Sequence, residues 1–124
     1  MSLRDYHAFL ARKEIIDPST GIKRVPALPD RMFSFQRDIT SWALRRGRAA
    51  LFAGTGLGKS FMELAWADAI VSETKRPILH IAPLAVTAQM VREAEKFGIA
   101  AAQVRSQIEC RGGINITNYQ KIEH

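Results

Sequence analysis

Disulfides are the first thing this sequence leaves out. A single cysteine, Cys110, stands among 124 residues, so no internal disulfide can form, and that usage fits a reducing, cytoplasmic compartment. Metal-ligand spacing is missing as well. His7, His80 and His124 are isolated from one another and from Cys110, which argues against a locally built zinc site. Nowhere do about 18 apolar residues run together, so no membrane span is expected, and no apolar signal sequence follows Met1. Acidic residues are outnumbered: 18 Lys and Arg against 12 Asp and Glu leave a formal charge of +6. A positive balance of this size favours a polyanionic partner. The remainder is ordinary for a soluble globular protein, with 47% apolar and 24% charged residues, in a length that suits one small domain with a real core.

What is present concentrates in one stretch, A-G-T-G-L-G-K-S, from Ala53 to Ser60. An apolar run, Ala49 to Phe52, comes just before it, and a helical pattern carrying Phe61, Leu64, Ala65 and Ile70 comes just after. A strand that breaks into a glycine-rich turn and opens a helix is the context of a phosphate-binding loop. Gly54, Gly56 and Gly58 have no Cβ, so the backbone can take positive φ and approach a phosphate closely. The free N–H groups at the helix start point at the anion and add the positive end of the helix dipole. Gly54, Thr55, Gly56, Leu57, Gly58, Lys59 and Ser60 are therefore the candidate nucleotide-binding set. Lys59 reaches for the β- and γ-phosphates of ATP, and the Ser60 hydroxyl holds the nucleotide's magnesium ion (Mg2+). The bland alternative is a plain strand-turn-helix with a Gly-rich turn.

The general loop pattern opens with Gly where this chain has Ala53. That departure, with G-L-G-K-S after it, resembles superfamily 2 helicases and closely resembles their Swi/Snf-type DNA translocases. Phe35 and Gln36, one helix ahead of the loop, resemble the Q motif of that superfamily. There the Gln amide reads the donor and acceptor on the adenine edge, and the aromatic packs on the base. Otherwise Gln36 is a helix residue beside a core Phe. Ala82-Pro83-Leu84 followed by a helix with Gln89 resembles motif Ia, a loop that grips the nucleic-acid backbone. The resemblance makes Thr87, Gln89 and Arg92 candidate contacts, unless Thr87 only caps that helix. Ile116 to Gln120, I-T-N-Y-Q, resembles a later DNA-contacting loop, with Thr117 and Asn118 as its contacts. Asn118 is equally suited to cap the helix that Tyr119 begins.

The elements expected around these motifs run as follows. Ser2 to about Lys13 is a short helix opened by a Ser2-Asp5 capping box, with Leu3, Tyr6, Phe9 and Leu10 packing onto the following domain. Its polar face, with Arg4, Arg12 and Lys13, reads as solvated. Ile15 to Asp30 is a linker along the surface, with turn chemistry at Asp17 to Gly21. Met32 to Gly47 is a helix closed by Gly47, where Arg45, Arg46 and Arg48 suit its dipole. Lys59 to about Glu73 is a helix apolar on most sides, which asks for a sheet beneath it and another layer above. Pro77 to Pro83 is a continuous apolar strand, as in a doubly covered parallel sheet. A helix from Val86 to Phe97, a short strand from Gln103 to Arg105 and a strand from Ile114 to Thr117 follow. Residues 1–31 form an N-terminal helix and linker. Residues 32–124 form a partial RecA-like P-loop NTPase domain of the α/β class, mainly parallel, with helices on both faces.

The resemblance also implies parts that these 124 residues do not contain. The family engine uses D-E-x-[HD] at the end of a later strand and a second RecA-like domain that supplies arginines. No apolar strand here ends in paired acids: Asp68 and Glu73 fall in one helix, Glu93 and Glu95 in another. Two functions follow from different classes. One is the front half of an ATP-driven DNA helicase or translocase of phage or bacterial kind. It would be truncated before its paired acids and not competent for hydrolysis alone. Its partner would be DNA, duplex or single-stranded, without sequence preference. The other is a stand-alone binding protein, a decoy, adaptor or inhibitor of a nucleic-acid machine. A third, minor reading is a nucleotide-binding protein with no nucleic acid. Self-association is expected where an interior sheet edge is left unpaired.

Overall fold

The computed structural model describes residues 2–13, 18–54 and 58–122. Four helices and three strands follow in the order α1 (Leu3–Lys13), α2 (Ser34–Arg46), α3 (Lys59–Thr74), β1 (Ile78–Ala82), α4 (Leu84–Lys96), β2 (Ala101–Gln103) and β3 (Ile114–Asn118). Short 3-10 turns lie at Gln107–Glu109 and Tyr119–Lys121.

The strands make one parallel sheet in the order β1-β3-β2. Ile78 sits opposite Ile114 and Ala82 opposite Asn118, while Ala101 also sits opposite Ile114. Val104 extends the ladder by one bond, its N–H donating to Ile116 O at 2.8 Å. β3 is central and buried at all five positions, as a strand with neighbours on both sides should be.

Helix α3 explains the layering. Its apolar residues go all round, and the structure covers it on two sides. Leu64 and Ala67 meet Met90 and Ala94 of α4 and Ile114 and Ile116 of β3 in one core. Phe61, Met62 and Ala65 meet Met32 in a second, with Leu28 and Ile39 beside it. Phe61 also stacks on Phe97, ring centroids 4.0 Å apart. The expected sheet beneath α3 and layer above it are both there.

Among the described residues, the helices that pack on the sheet share one face of it. α3 and α4 share the face that carries Ile114 and Ile116. The opposite face carries Leu79, Ile81, Asn115 and Thr117. Loop structure closes part of it: the Asn115 amide accepts from Arg111 N–H at 3.0 Å and donates to Arg111 O at 2.8 Å. A polar Asn and Thr on that face suit a loop rich in backbone partners better than an apolar helix.

Two further expectations are corrected. Ala49–Phe52 is not a strand: none of the three paired strands includes it, Leu51 is exposed, and Phe52 is 96% exposed. Strand geometry needs a ladder partner, and a cleft separates this segment from β1. Helix α1 forms, and its capping box is present. Asp5 Oδ2 accepts from Ser2 N–H and Oγ at 3.1 and 2.8 Å, and Asp5 N–H donates to Ser2 Oγ at 3.2 Å. Its apolar face, however, is not buried by the described residues: α1 has no buried residue, and Leu3, Tyr6, Phe9 and Leu10 are all exposed. The side of α3 away from the sheet is already taken by α2, Leu28 and Met32.

The segment before α2 is fastened rather than loose. Thr20, Gly21 and Ile22 donate N–H bonds of 3.0, 3.1 and 3.0 Å to the carbonyls of Arg46, Arg45 and Leu44. These are last-turn acceptors that a helix leaves unsatisfied. Gly21 is required there, because a Cβ would overlap the Leu44 carbonyl oxygen. Gly47, at φ +86, ends α2 as its sequence position promised. Residues 14–17, part of the expected linker and its turn, lie outside the described residues.

Three outcomes follow. Leu64→Ala removes a side chain only 1% exposed from the main core and should cost about 2–5 kcal/mol in denaturant unfolding. Phe9→Ala on α1 should stay within about 0.5 kcal/mol. Asp5 is held below its ordinary value of 3.8 by the Ser2 backbone and hydroxyl bonds. A depressed carboxylate stabilises above its unfolded pKa and loses that contribution as pH falls through the folded one. Helicity at α1 should therefore decline on acidification below about pH 4 and not before, read by circular dichroism against Asp5→Asn.

Candidate nucleotide-binding site

The site is built where α2 meets the start of α3. Gly58 stands at φ +72, ψ 41, in the left-handed region, and as a glycine it supplies no capping side chain to the helix after it. Met62 N–H already bonds Gly58 O at 3.1 Å, so Gly58 is the residue at which the helical ladder begins. Lys59 is exposed and Ser60 half-buried in the first turn. An uncapped helix start with a cation beside it is a site for an anion. Thr55, Gly56 and Leu57 lie outside the described residues. Gly54 is exposed, with open space where a Cβ would be.

Gln36 is buried, at 5% exposure. Its Oε1 accepts from Phe33 N–H at 2.9 Å, the N-terminal half of a capping box that opens α2. Its amide nitrogen lies against Gly58, where a Cβ would run into it. One side chain thus starts α2 with its oxygen and abuts the start of α3 with its nitrogen. Phe35 is exposed, and its ring stacks on Phe33 at 6.1 Å and an interplanar angle of 15°. Phe33, 68% exposed, escaped sequence reasoning. Its spacing of two from Phe35 was the available signal.

Below this lies a cleft of about 300 Å3 between α2, α3, Ala49, Leu51 and β1. Ile39, Met62 and Trp66 give it apolar walls, Lys59 and Glu63 bring charge, and His80 adds an imidazole. His80 Nε2 stands 3.7 Å from Glu63 Oε2, a pairing invisible in the sequence because α3 and β1 are joined only by folding. Thr40 also lines the cleft, 2% exposed, and its hydroxyl has no hydrogen-bond partner among the described residues.

The candidate nucleic-acid contacts separate into two groups. Gln89 and Arg92 are exposed on α4, with Gln89 Nε2 donating to Glu93 Oε1 at 3.3 Å. Thr87 is 1% exposed; its hydroxyl donates to Leu84 O at 2.9 Å and accepts from Gln103 Nε2 at 3.3 Å. It does not cap α4, whose N-cap is Pro83. Thr117 and Asn118 are each 5% exposed. Asn118 Oδ1 accepts from Gln120 N–H at 3.0 Å, so it caps the Tyr119–Lys121 turn. The buried three present no side chain to a passing backbone in this conformation.

Comparison with known proteins is silent. A scan against protein-family models found no match, and searches of curated proteins and of solved structures found none either. The residues and their geometry carry the functional reading alone.

Gly58→Ala should destabilise by about 1–2 kcal/mol from the left-handed backbone alone, with a further loss from the clash with Gln36. In a Gln36→Ala background that further loss should vanish, leaving a non-additive double-mutant cycle in chemical denaturation.

Proposed function

We propose that the turn ending in Gly58, Lys59 and Ser60 holds the phosphates of ATP. In this reading the chain is the nucleotide-binding front part of an ATP-driven DNA helicase or translocase of the superfamily 2, RecA-like kind. The observation that carries the proposal is the start of α3: a left-handed glycine, no side-chain cap, and an exposed lysine in the first turn. Backbone N–H groups there bind phosphate oxygens, Lys59 neutralises their charge, and Ser60 offers its hydroxyl to the accompanying Mg2+. The buried Gln36 amide keeps the two helix starts in register beside the turn, and Phe33 and Phe35 offer a paired aromatic surface for a base.

Bound Mg2+ would supply charge neutralisation between the phosphates. Phosphoryl transfer further needs a carboxylate to hold the metal, a positioned water and an arginine. Among the described residues, β1 runs into Ala82-Pro83 and β3 into Asn118-Tyr119, so neither ends in paired acids. Binding without turnover is the expected behaviour of residues 1–124. The DNA part of the proposal rests on the charge of +6 and on exposed Arg92 and Gln89. Helix α4 itself carries Arg92 and Lys96 against Glu93 and Glu95, so any phosphate contact there is local and not a continuous basic stripe.

Titration calorimetry with ATP and Mg2+ should show weak binding that Lys59→Ala abolishes. Binding unchanged by that substitution would move the site elsewhere, and steady hydrolysis by the purified chain would refute binding without turnover. Duplex DNA should bind without sequence preference, with a log–log salt slope near 0.9 per phosphate neutralised. Arg92→Ala should lower that slope by about one phosphate's worth, and affinity that is flat with salt would exclude this role.

A further inference from the structure

Helix α2 has two unlike faces. Gln36, Thr40 and Leu44 recur every four residues and are buried. On the other side the same spacing sets Asp38, Ser41, Trp42 and Arg45 in one stripe, and none of them is buried. Trp42 is 49% exposed there, so an indole stands half in water on the side of α2 away from the core. Beside it is a cavity of about 430 Å3, walled by Ser41, Trp42, Arg45 and Arg46 of α2 and by Ser19 of the segment before it. Asp38 is the one acid in that wall.

The positive charge of the chain gathers at the same place. From Ile39 to Phe52 there is no Asp or Glu, and Arg45, Arg46 and Arg48 fall in that stretch. From Pro18 to Pro29 there is none either, and Lys23 and Arg24 fall in it. Asp17, just before, lies outside the described residues. The N–H groups of Thr20, Gly21 and Ile22 lace the second stretch to the first, and Lys23 follows directly on that seam. Lys23, Arg24, Arg45 and Arg48 are all exposed, and none has an ion-pair partner among the described residues. Cations at a helix end ordinarily answer its unsatisfied carbonyls. Here the carbonyls of Ala43, Leu44, Arg45 and Arg46 already accept from the N–H groups of Gly47, Ile22, Gly21 and Thr20. The arginine side chains are not needed as caps.

We infer that this corner of α2 binds single-stranded nucleic acid. A base stacks on the Trp42 indole in the cavity, and Arg45 and Arg48 neutralise neighbouring phosphates. Ser19 and Ser41 offer hydroxyls that donate or accept at a base edge. Like charge keeps the phosphates of the strand away from Asp38. An exposed aromatic among cations selects the single strand. A duplex keeps its bases stacked inside and shows the patch phosphates alone. An acidic peptide would meet the arginines and leave the indole unused. Such binding needs neither Lys59 nor Arg92, so it stands or falls apart from the ATP site and from the α4 contact.

Tryptophan fluorescence and anisotropy with a labelled thymidine oligonucleotide of about 12 nucleotides test this on the full chain, at low salt and without ATP. The strand should quench tryptophan emission, and Trp42→Phe should remove most of the quench while Trp66 still emits. Trp42→Ala should weaken binding about tenfold or more, with circular dichroism confirming the fold. Arg45→Ala should lower the log–log salt slope by about 0.7, the single-strand value per phosphate. Arg76→Ala, which removes an exposed cation beyond the end of α3, should leave the slope unchanged. A duplex of the same length should bind more weakly and without quenching. No binding, binding indifferent to Trp42→Ala, a slope moved equally by Arg76→Ala, or a duplex bound as tightly with the same loss in Trp42→Ala would each overturn the inference. Loss in Arg92→Ala alone would place the strand on α4 and overturn it too.

Discussion

Burial of helix α3 on two opposite sides is the constraint on which the rest depends. One side packs Leu64 and Ala67 onto the sheet and α4; another packs Phe61, Met62 and Ala65 under α2 and Met32. Three alanines, Ala65, Ala67 and Ala69, are buried along it, and small side chains let neighbouring elements approach closely. Because α3 is held so firmly, its first turn is a rigid place on which to present Gly58, Lys59 and Ser60. A site built at the end of a clamped helix keeps its backbone N–H groups aimed without help from a ligand. Fixing α3 also fixes α2 through their shared core, and so brings Gln36 to Gly58.

That encounter ties the stability of the fold to the candidate site. The Gln36 oxygen opens α2 and its nitrogen abuts the residue that opens α3. Any proposed use of Gln36 toward a base must therefore share the side chain with these structural duties. Similar sharing explains the buried Thr87 and Asn118. Each is a polar residue inside a folded body, and each was recruited by a nearby backbone or side-chain partner, because burying such a group unsatisfied is costly. Exposed Gln89 and Arg92 remain to meet solvent or a polyanion.

Much of the architecture was legible in local pattern. The Ser2-Asp5 box, the stop at Gly47, the all-round apolar face of α3 and the continuous apolar strand at Ile78–Ala82 all depend on neighbours within a few residues. So does the cap at Asn118. Ala49–Phe52 was misread for a physical reason. Its composition suits a strand, but a strand exists only with a ladder partner, and partnership is a property of the whole fold. α1 was misread similarly: its apolar face is real, yet nothing in its own sequence says whether another surface is left to receive it.

By itself, the sequence determined the helices, the strands β1 and β3 and the glycine at which α3 begins, because propensity, capping and the need for positive φ act over a turn or two. Only the tertiary structure decided which side of the sheet α3 and α4 would share, that Gln36 would meet Gly58, and that His80 would stand beside Glu63. It alone left β1 at an edge and Phe52 in water. Those outcomes turn on which surfaces are still unoccupied once α3 is clamped, and occupancy is settled by close packing among residues far apart in the chain.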